Sequence, residues 1–204
     1  MISAVDLSGT IALGAIGLLT ANLLLGLLLS VGYNPVRQWP KQRIKLFTFH
    51  NWTGYVALAA VALHAGVLLF SSDPRFTVAD ILWPTGSPVQ PKTTTVGAVA
   101  LYLLAFAVLT SLKRVRAAIG RHWWKLFHWA TYAAATAFFI HGIIADPLLQ
   151  GRSPDLIDAE KVYVEVCALL VIVATALRIR HRRSVTRVVQ PKSRRLIPDH
   201  AGGQ

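Results

Sequence analysis

Five stretches of this chain, about residues 9–31, 49–70, 95–112, 127–145 and 161–178, stay apolar for close to the roughly 20 residues a helix needs to cross a bilayer. Hydrocarbon offers no partner to a backbone N–H or C=O, so a spanning segment must satisfy its own polar groups as a helix or in a closed barrel. No run shows the alternating apolar pattern of a barrel strand. The expectation is an all-α membrane protein, a five-span transmembrane helical bundle. Hydrophobic residues make up 54% of the chain, more than a soluble domain of this length carries, and the abundant Ala and Gly suit close helix contacts in lipid. The leader MISAVDLSGT has no Lys or Arg, so the first run does not read as a cleavable signal.

The positive charge of +12 is sorted by side. Segments 32–49 and 113–125 and the tail from Arg178 hold 17 of the 21 basic residues. The alternate connections hold Arg75, Lys92, Arg152 and Lys161 together with almost all the acids. The positive-inside rule then places the N-terminus outside and the C-terminus in the cytoplasm, and one orientation fits all five spans. This distribution argues for a topology anchor touching anionic membrane lipid and against nucleic acid. The division expected is a transmembrane domain over 1–178 and a basic cytoplasmic tail over 179–204. Segment 71–94, with four prolines, reads as an outer loop with a short helix at its centre. Cys167, the single cysteine, reads as a buried inert thiol. Phosphate-cradling glycine loops and nucleophile elbows are absent.

Seven histidines divide cleanly. His122 lies in a basic connecting loop and His181 and His200 in the tail. His50 and His64 fall in the second apolar run, His128 and His141 in the fourth. The spacings of fourteen and thirteen residues correspond to about 21 and 19.5 Å along a helix. Both runs cross from inside to outside, so His50 can lie level with His128 and His64 with His141. Two imidazoles facing one another at one depth can be axial ligands of one haem iron, and two levels make two stacked haems. Gly54, Ala57, Ala60, Ala65, Ala133 and Ala137 are small enough to admit a flat macrocycle. A single membrane histidine commonly just bonds a neighbouring helix, and others mark proton paths; four in matched pairs, with almost no carboxylate at depth, favour the ligand reading. Thirteen residues turn an ideal helix to about 140° from its starting face, a mismatch that some irregularity must absorb. Arg43, Arg114 and Arg121 are candidate partners of haem propionates, and Trp123, Trp124 and Trp129 read as residues of the membrane interface.

With HNWTGYVALAAVALH opening the first pair and a second pair two spans later, the chain resembles the transmembrane domain of the ferric reductase and NADPH oxidase superfamily over most of residues 10–178. That superfamily includes stand-alone bacterial haem subunits of the periplasmic methionine sulfoxide reductase type. The resemblance implies a protein with two b haems, His50 and His128 on the inner iron and His64 and His141 on the outer, carrying electrons from a cytoplasmic-side donor to an outer-face acceptor across a bacterial inner membrane. The donor would be a cytoplasmic flavin reductase or membrane quinol, the acceptor an outer-face redox protein, ferric chelate or oxygen. The relatives' flavin and NADPH-binding domain has no counterpart in 179–204, so the chain is expected to act as an oxidoreductase component needing a separate donor. Service to a separate periplasmic oxidoreductase, or a non-redox transporter or scaffold with structural histidines, are the alternatives. Many relatives have six spans, against five here.

Overall fold

A computed structural model describes residues 3–32, 45–146, 149 and 155–193, with side chains to Ser184. Arg43, Arg152, His200 and residues 194–204 of the tail lie outside the described residues. Seven α-helices follow in order: α1 Ala4–Val31, α2 Leu46–Val67, α3 Val78–Leu82, α4 Pro91–Ser111, α5 Lys113–His128, α6 Ala130–Ile144 and α7 Ala159–Ser193. Short 3-10 turns occupy Leu68–Phe70 and Pro84–Gly86. No strand occurs among the described residues.

Local chemistry sets the helix ends. Ser3 Oγ accepts from the Asp6 amide while the Asp6 carboxylate accepts from the Ser3 amide, satisfying two of the donors that open α1. Gly32 closes it at φ 70°, a left-handed position that costs glycine little. The helix expected within the outer loop is α3, opened by the same device between Thr77 and Asp80.

Four helices, Ala4–Val31, Leu46–Phe70, Pro91–Ser111 and Ala159–Ser184, are long and apolar enough to cross a membrane. The run expected at 127–145 is divided differently. Its first two residues end α5, Trp129 interrupts the helical ladder, and α6 has only 15 residues, about 22 Å of rise. Segment 113–125, expected as a loop, is helical because Lys, Arg and Ala are good helix formers and basic charge does not forbid a helix. Gly120, at φ 79° and ψ 164°, kinks it and tolerates a conformation other residues adopt with strain. α7 continues without a break past residue 178, so the expected edge of the tail at 179 is no edge in the helix.

In the bundle, α1 packs on α2 and α7, α4 packs on α5 and α6, and α2 meets α4. The centre is filled by Ala15, Leu19, Ala57, Val61, Ala100, Leu104, Ala134 and Phe138. Alanines at 57 and 100 are wholly buried, which brings backbones close, the usual basis of helix association in lipid. A second cluster, Ile16, Val164 and Cys167, seats α7 on α1, and the thiol is free and buried as expected. Large apolar side chains such as Leu63, Leu169 and Ile172 face outward, as they would toward lipid chains.

Candidate functional site

The four histidines of the apolar runs are brought together in the two expected pairs. The His50 and His128 rings have centroids 6.2 Å apart, and those of His64 and His141 are 6.4 Å apart. Within the unbroken α2, the fourteen residues between His50 and His64 set the levels about 21 Å apart. The apolar cluster of Ala57, Leu104 and Ala134 lies between them along the chain. α2 and the α5–α6 segment must therefore run parallel.

The break at Trp129 takes up part of the thirteen-residue mismatch. The Trp129 amide donates to Leu126 O at 3.1 Å and the Tyr132 amide to Trp129 O at 3.0 Å. These i to i−3 bonds wind the chain faster than an α-helix does. The same change moves the inward face of α6 by one position: Ala134 is buried, whereas Ala133, expected among the small residues of the seam, is exposed. Ala60 and Ala137 pack against the core as expected. Gly54 instead accommodates the Asn22 side chain.

Each ring is held through Nδ1 by another helix or its end. His50 Nδ1 donates to Asn22 O at 3.1 Å, His64 Nδ1 to Ser8 O at 2.9 Å, and His141 Nδ1 to Thr93 O at 2.9 Å. A carbonyl oxygen only accepts, so these three rings carry their proton on Nδ1 and leave Nε2 with its lone pair. The fourth is built from side chains. Ser111 Oγ spends its one hydrogen on Ala107 O at 2.7 Å, so it acts as acceptor toward Trp124 Nε1 at 3.3 Å and His128 Nδ1 at 3.4 Å. The Trp124 ring stacks on His128, 5.2 Å between centroids and 30° between planes. The Arg116 guanidinium lies 5.5 Å over Trp124 and 5.6 Å over Phe47. An Nδ1–H fixed in this way is the usual arrangement behind a metal-bound imidazole.

This donor set fits haem. Two imidazoles on opposite sides of one metal, each about 2.0 Å away at nitrogen with ring centres about 1.1 Å further, stand with centroids about 6.2 Å apart. Among the described residues no group of three or more His, Cys, Asp or Glu forms a metal-ligand set, so further ligands at either pair would have to come from a macrocycle. Glycine opens the backbone beside the rings. A Cβ at Gly26 would lie 3.2 Å from His50 Cε1, and one at Gly97 2.8 Å from His141 Cε1. A cavity beside the His64–His141 pair is lined by Gly9, Ala12, Thr93, Gly97 and Lys161. Lys161 is buried there, its ammonium donating to Gly142 O at 2.9 Å and to Ala145 O at the end of α6.

Other sequence candidates fall elsewhere. Arg114 and Arg121 are exposed on α5, and neither is drawn to the inner pair; Arg116, which sequence reading passed over, is the arginine next to it. His122 and His181 are exposed. Trp123 and Trp129 are exposed, 53% and 63%, but Trp124 packs on a histidine and departs from the expected interfacial role. Asn22, Ser8, Thr93 and Ser111 were also missed. Asn22 alone left a signal, an amide in the middle of an apolar run.

The family described as ferric reductase like transmembrane component matches residues 12–139. No curated protein and no solved structure matches the chain.

Proposed function

The chain belongs to the ferric reductase-like transmembrane family and is an integral membrane protein; from that premise we propose that it is a dihaem b-type transmembrane electron-transfer protein. The observation that carries the reading is the pairing of four imidazoles at two depths, at 6.2 and 6.4 Å, with every Nδ1 engaged. When bound, the haems supply one-electron carriers at an inner and an outer level. The protein's part is positional. His50 with His128, and His64 with His141, would hold the two haems, and the Nδ1 partners fix which nitrogen each ring presents. Two imidazoles at each haem would leave no open position there for oxygen or substrate. The apolar layer around Ala57 and Ala134 separates the levels and excludes water between them.

The second half of α5 and α6 together form the fifth span, because helical residues 121–128 add to the 15 of α6 across the break at Trp129. In this topology the N-terminus lies outside, the basic ends of α5 and α7 face the cytoplasm, and His50 and His128 form the inner level, in what we take to be a bacterial inner membrane. Electrons come from a cytoplasmic flavin reductase or membrane quinol. They leave to a ferric chelate, oxygen or an outer-face redox protein, and in the last case the chain would be the haem subunit of a separate oxidoreductase. The clustered basic charge at the inner face suits an acidic donor protein.

The test is the absorption spectrum and haem content of the purified protein. Two low-spin b haems per chain are expected, with NADPH alone failing to reduce them under anaerobic conditions and NADPH plus a flavin reductase, or quinol, succeeding. Haem-free, folded protein would end the reading; reduction by NADPH alone would end the need for a separate donor.

A further inference from the structure

Arg178 on α7 is unusually placed for a basic residue of a membrane helix. Its Nη1 donates to the Tyr132 hydroxyl at 2.7 Å. Its Nε is buried and has no hydrogen-bond partner among the described residues. A cationic N–H withdrawn from water without an acceptor is costly, so the arrangement calls for an acceptor.

The depth of this group follows from a closed set of contacts. His50 lies against Gly26 and Asn22 of α1, and it faces His128. Tyr132 stands four residues, about one turn, beyond His128, and Arg178 meets Tyr132. One turn further along α7, Arg182 Nη2 donates to Ser30 O, one turn beyond Gly26 on α1. α1 and α7 run parallel, since Tyr163 meets Gly17 and, later along both helices, Arg182 meets Ser30. Arg178 is therefore level with the ring of His50.

The chain has little negative charge of its own to offer there. Of its nine acids, Asp199 is the one that follows Arg178, and segment 32–49 carries none. Glu165, the nearest acid along α7, is thirteen residues away, about 20 Å. We propose that Arg178 and Tyr132 form a binding site for an anionic oxygen group supplied from outside the chain, at the level of His50 and His128. Arg178 Nε and the hydroxyl hydrogen of Tyr132 are the donors, and the ligand is a carboxylate or phosphate. A propionate of the inner haem is one source, which rests on the function proposed above. The phosphate of a membrane lipid is the other, and does not.

The experiment uses the full chain purified with its lipid, as the original sequence and as Arg178→Gln, Arg178→Lys, Tyr132→Phe and Asp199→Asn, each also in a His64→Ala background where only the inner pair remains. Haem content and bound phospholipid by native mass spectrometry are the readouts. With a propionate, Arg178→Gln weakens inner-haem retention about tenfold, as expected for loss of a hydrogen bond to a charged group. Tyr132→Phe then does so less, and Arg178→Lys restores part, keeping the charge without the planar fork. With a lipid phosphate, haem content holds and phospholipid retention falls by a similar factor. If the unaltered protein contains no haem, the function proposed above fails, and the phospholipid arm alone decides this site. Folded Arg178→Gln protein that keeps both haem and lipid overturns the proposal, as does an Asp199→Asn variant that reproduces the Arg178→Gln losses.

Discussion

The two histidine levels share one ring separation and differ in how the rings are held. The Nδ1 atoms of His64 and His141 rest on the backbone carbonyls of Ser8 and Thr93, with the Ser8 hydroxyl also 2.9 Å from His64 Nδ1. Gly97 presses the α4 backbone against His141. At the inner level His50 rests on the carbonyl of Asn22, but His128 depends on a serine hydroxyl, a stacked tryptophan and an arginine above it. A carbonyl belongs to the helix and cannot be removed by changing a side chain. A hydroxyl can. Three of the rings thus keep a backbone partner whatever side chains surround them, while that of His128 is held by side chains that substitution can adjust one at a time.

The largest effect should come from the ligands themselves. His64→Ala is expected to lose the outer haem and keep the inner, and His50→Ala the reverse, each measured as a fall from two haems per chain to one; His122→Ala, an exposed residue, should leave two. Equal loss of both haems from either ligand variant would mean that the levels do not form independently.

Next come the glycines. Gly97→Ala places a methyl inside contact distance of a ring that the Thr93 carbonyl, one turn earlier on the same helix, ties to α4; overpacking of this kind costs about 1–3 kcal/mol. Gly26→Ala meets His50 at 3.2 Å and should fall at the low end of that range. Thermal melting of both variants, with haem content of each level, orders them. A larger effect at Gly26 would mean that His50, and not His141, is the more tightly confined ring.

Smaller still is the contrast between second partners. Ser111→Ala removes the acceptor shared by Trp124 and His128, about 1 kcal/mol for a hydrogen bond, and should alter the inner haem's spectrum and potential with the outer haem unchanged. Thr93→Ala keeps the carbonyl that holds His141 and should change neither. A shift in the outer haem from Thr93→Ala would show that this threonine acts through its side chain.

The smallest lies in α3. The Thr77 hydroxyl, and then its amide, hold the Asp80 carboxyl below the usual carboxylate range. A depressed pKa contributes stability that is full above the unfolded value, about 3.9 for Asp, and is lost as pH falls through the folded one. Amide protection in α3, relative to the intrinsic exchange rate at each pH, should therefore fall only below about pH 4, with Asp80→Asn removing that fall.

Much of the site was legible because it rests on translation along a helix. A residue count gives depth directly at a fixed rise, so the levels of His50 with His128 and of His64 with His141 could be read before any packing was known. Rotation was less legible. The same count placed His128 and His141 on different faces of an ideal helix, and it put Ala133 where Ala134 stands, because a local break at Trp129 changes the winding without leaving a Pro or Gly to announce it. The division of the fourth apolar run into the last turn of α5 and the short α6 escaped for the same reason, and a basic segment was taken for a loop because charge marks sidedness and not backbone conformation.

Sequence by itself determined that this chain is helical, that it is built for lipid, and that its four membrane histidines occupy two depths, since these follow from hydrocarbon's intolerance of free backbone groups and from helical rise. Tertiary structure alone decided what stands behind each ring. Asn22 and Thr93 offer these rings carbonyls that every residue possesses, Ser8 adds its hydroxyl to its carbonyl, and Arg116 and Arg178 reach rings on helices distant in the chain. Contacts of that kind depend on which faces meet, and that is set by the packing of all the helices at once.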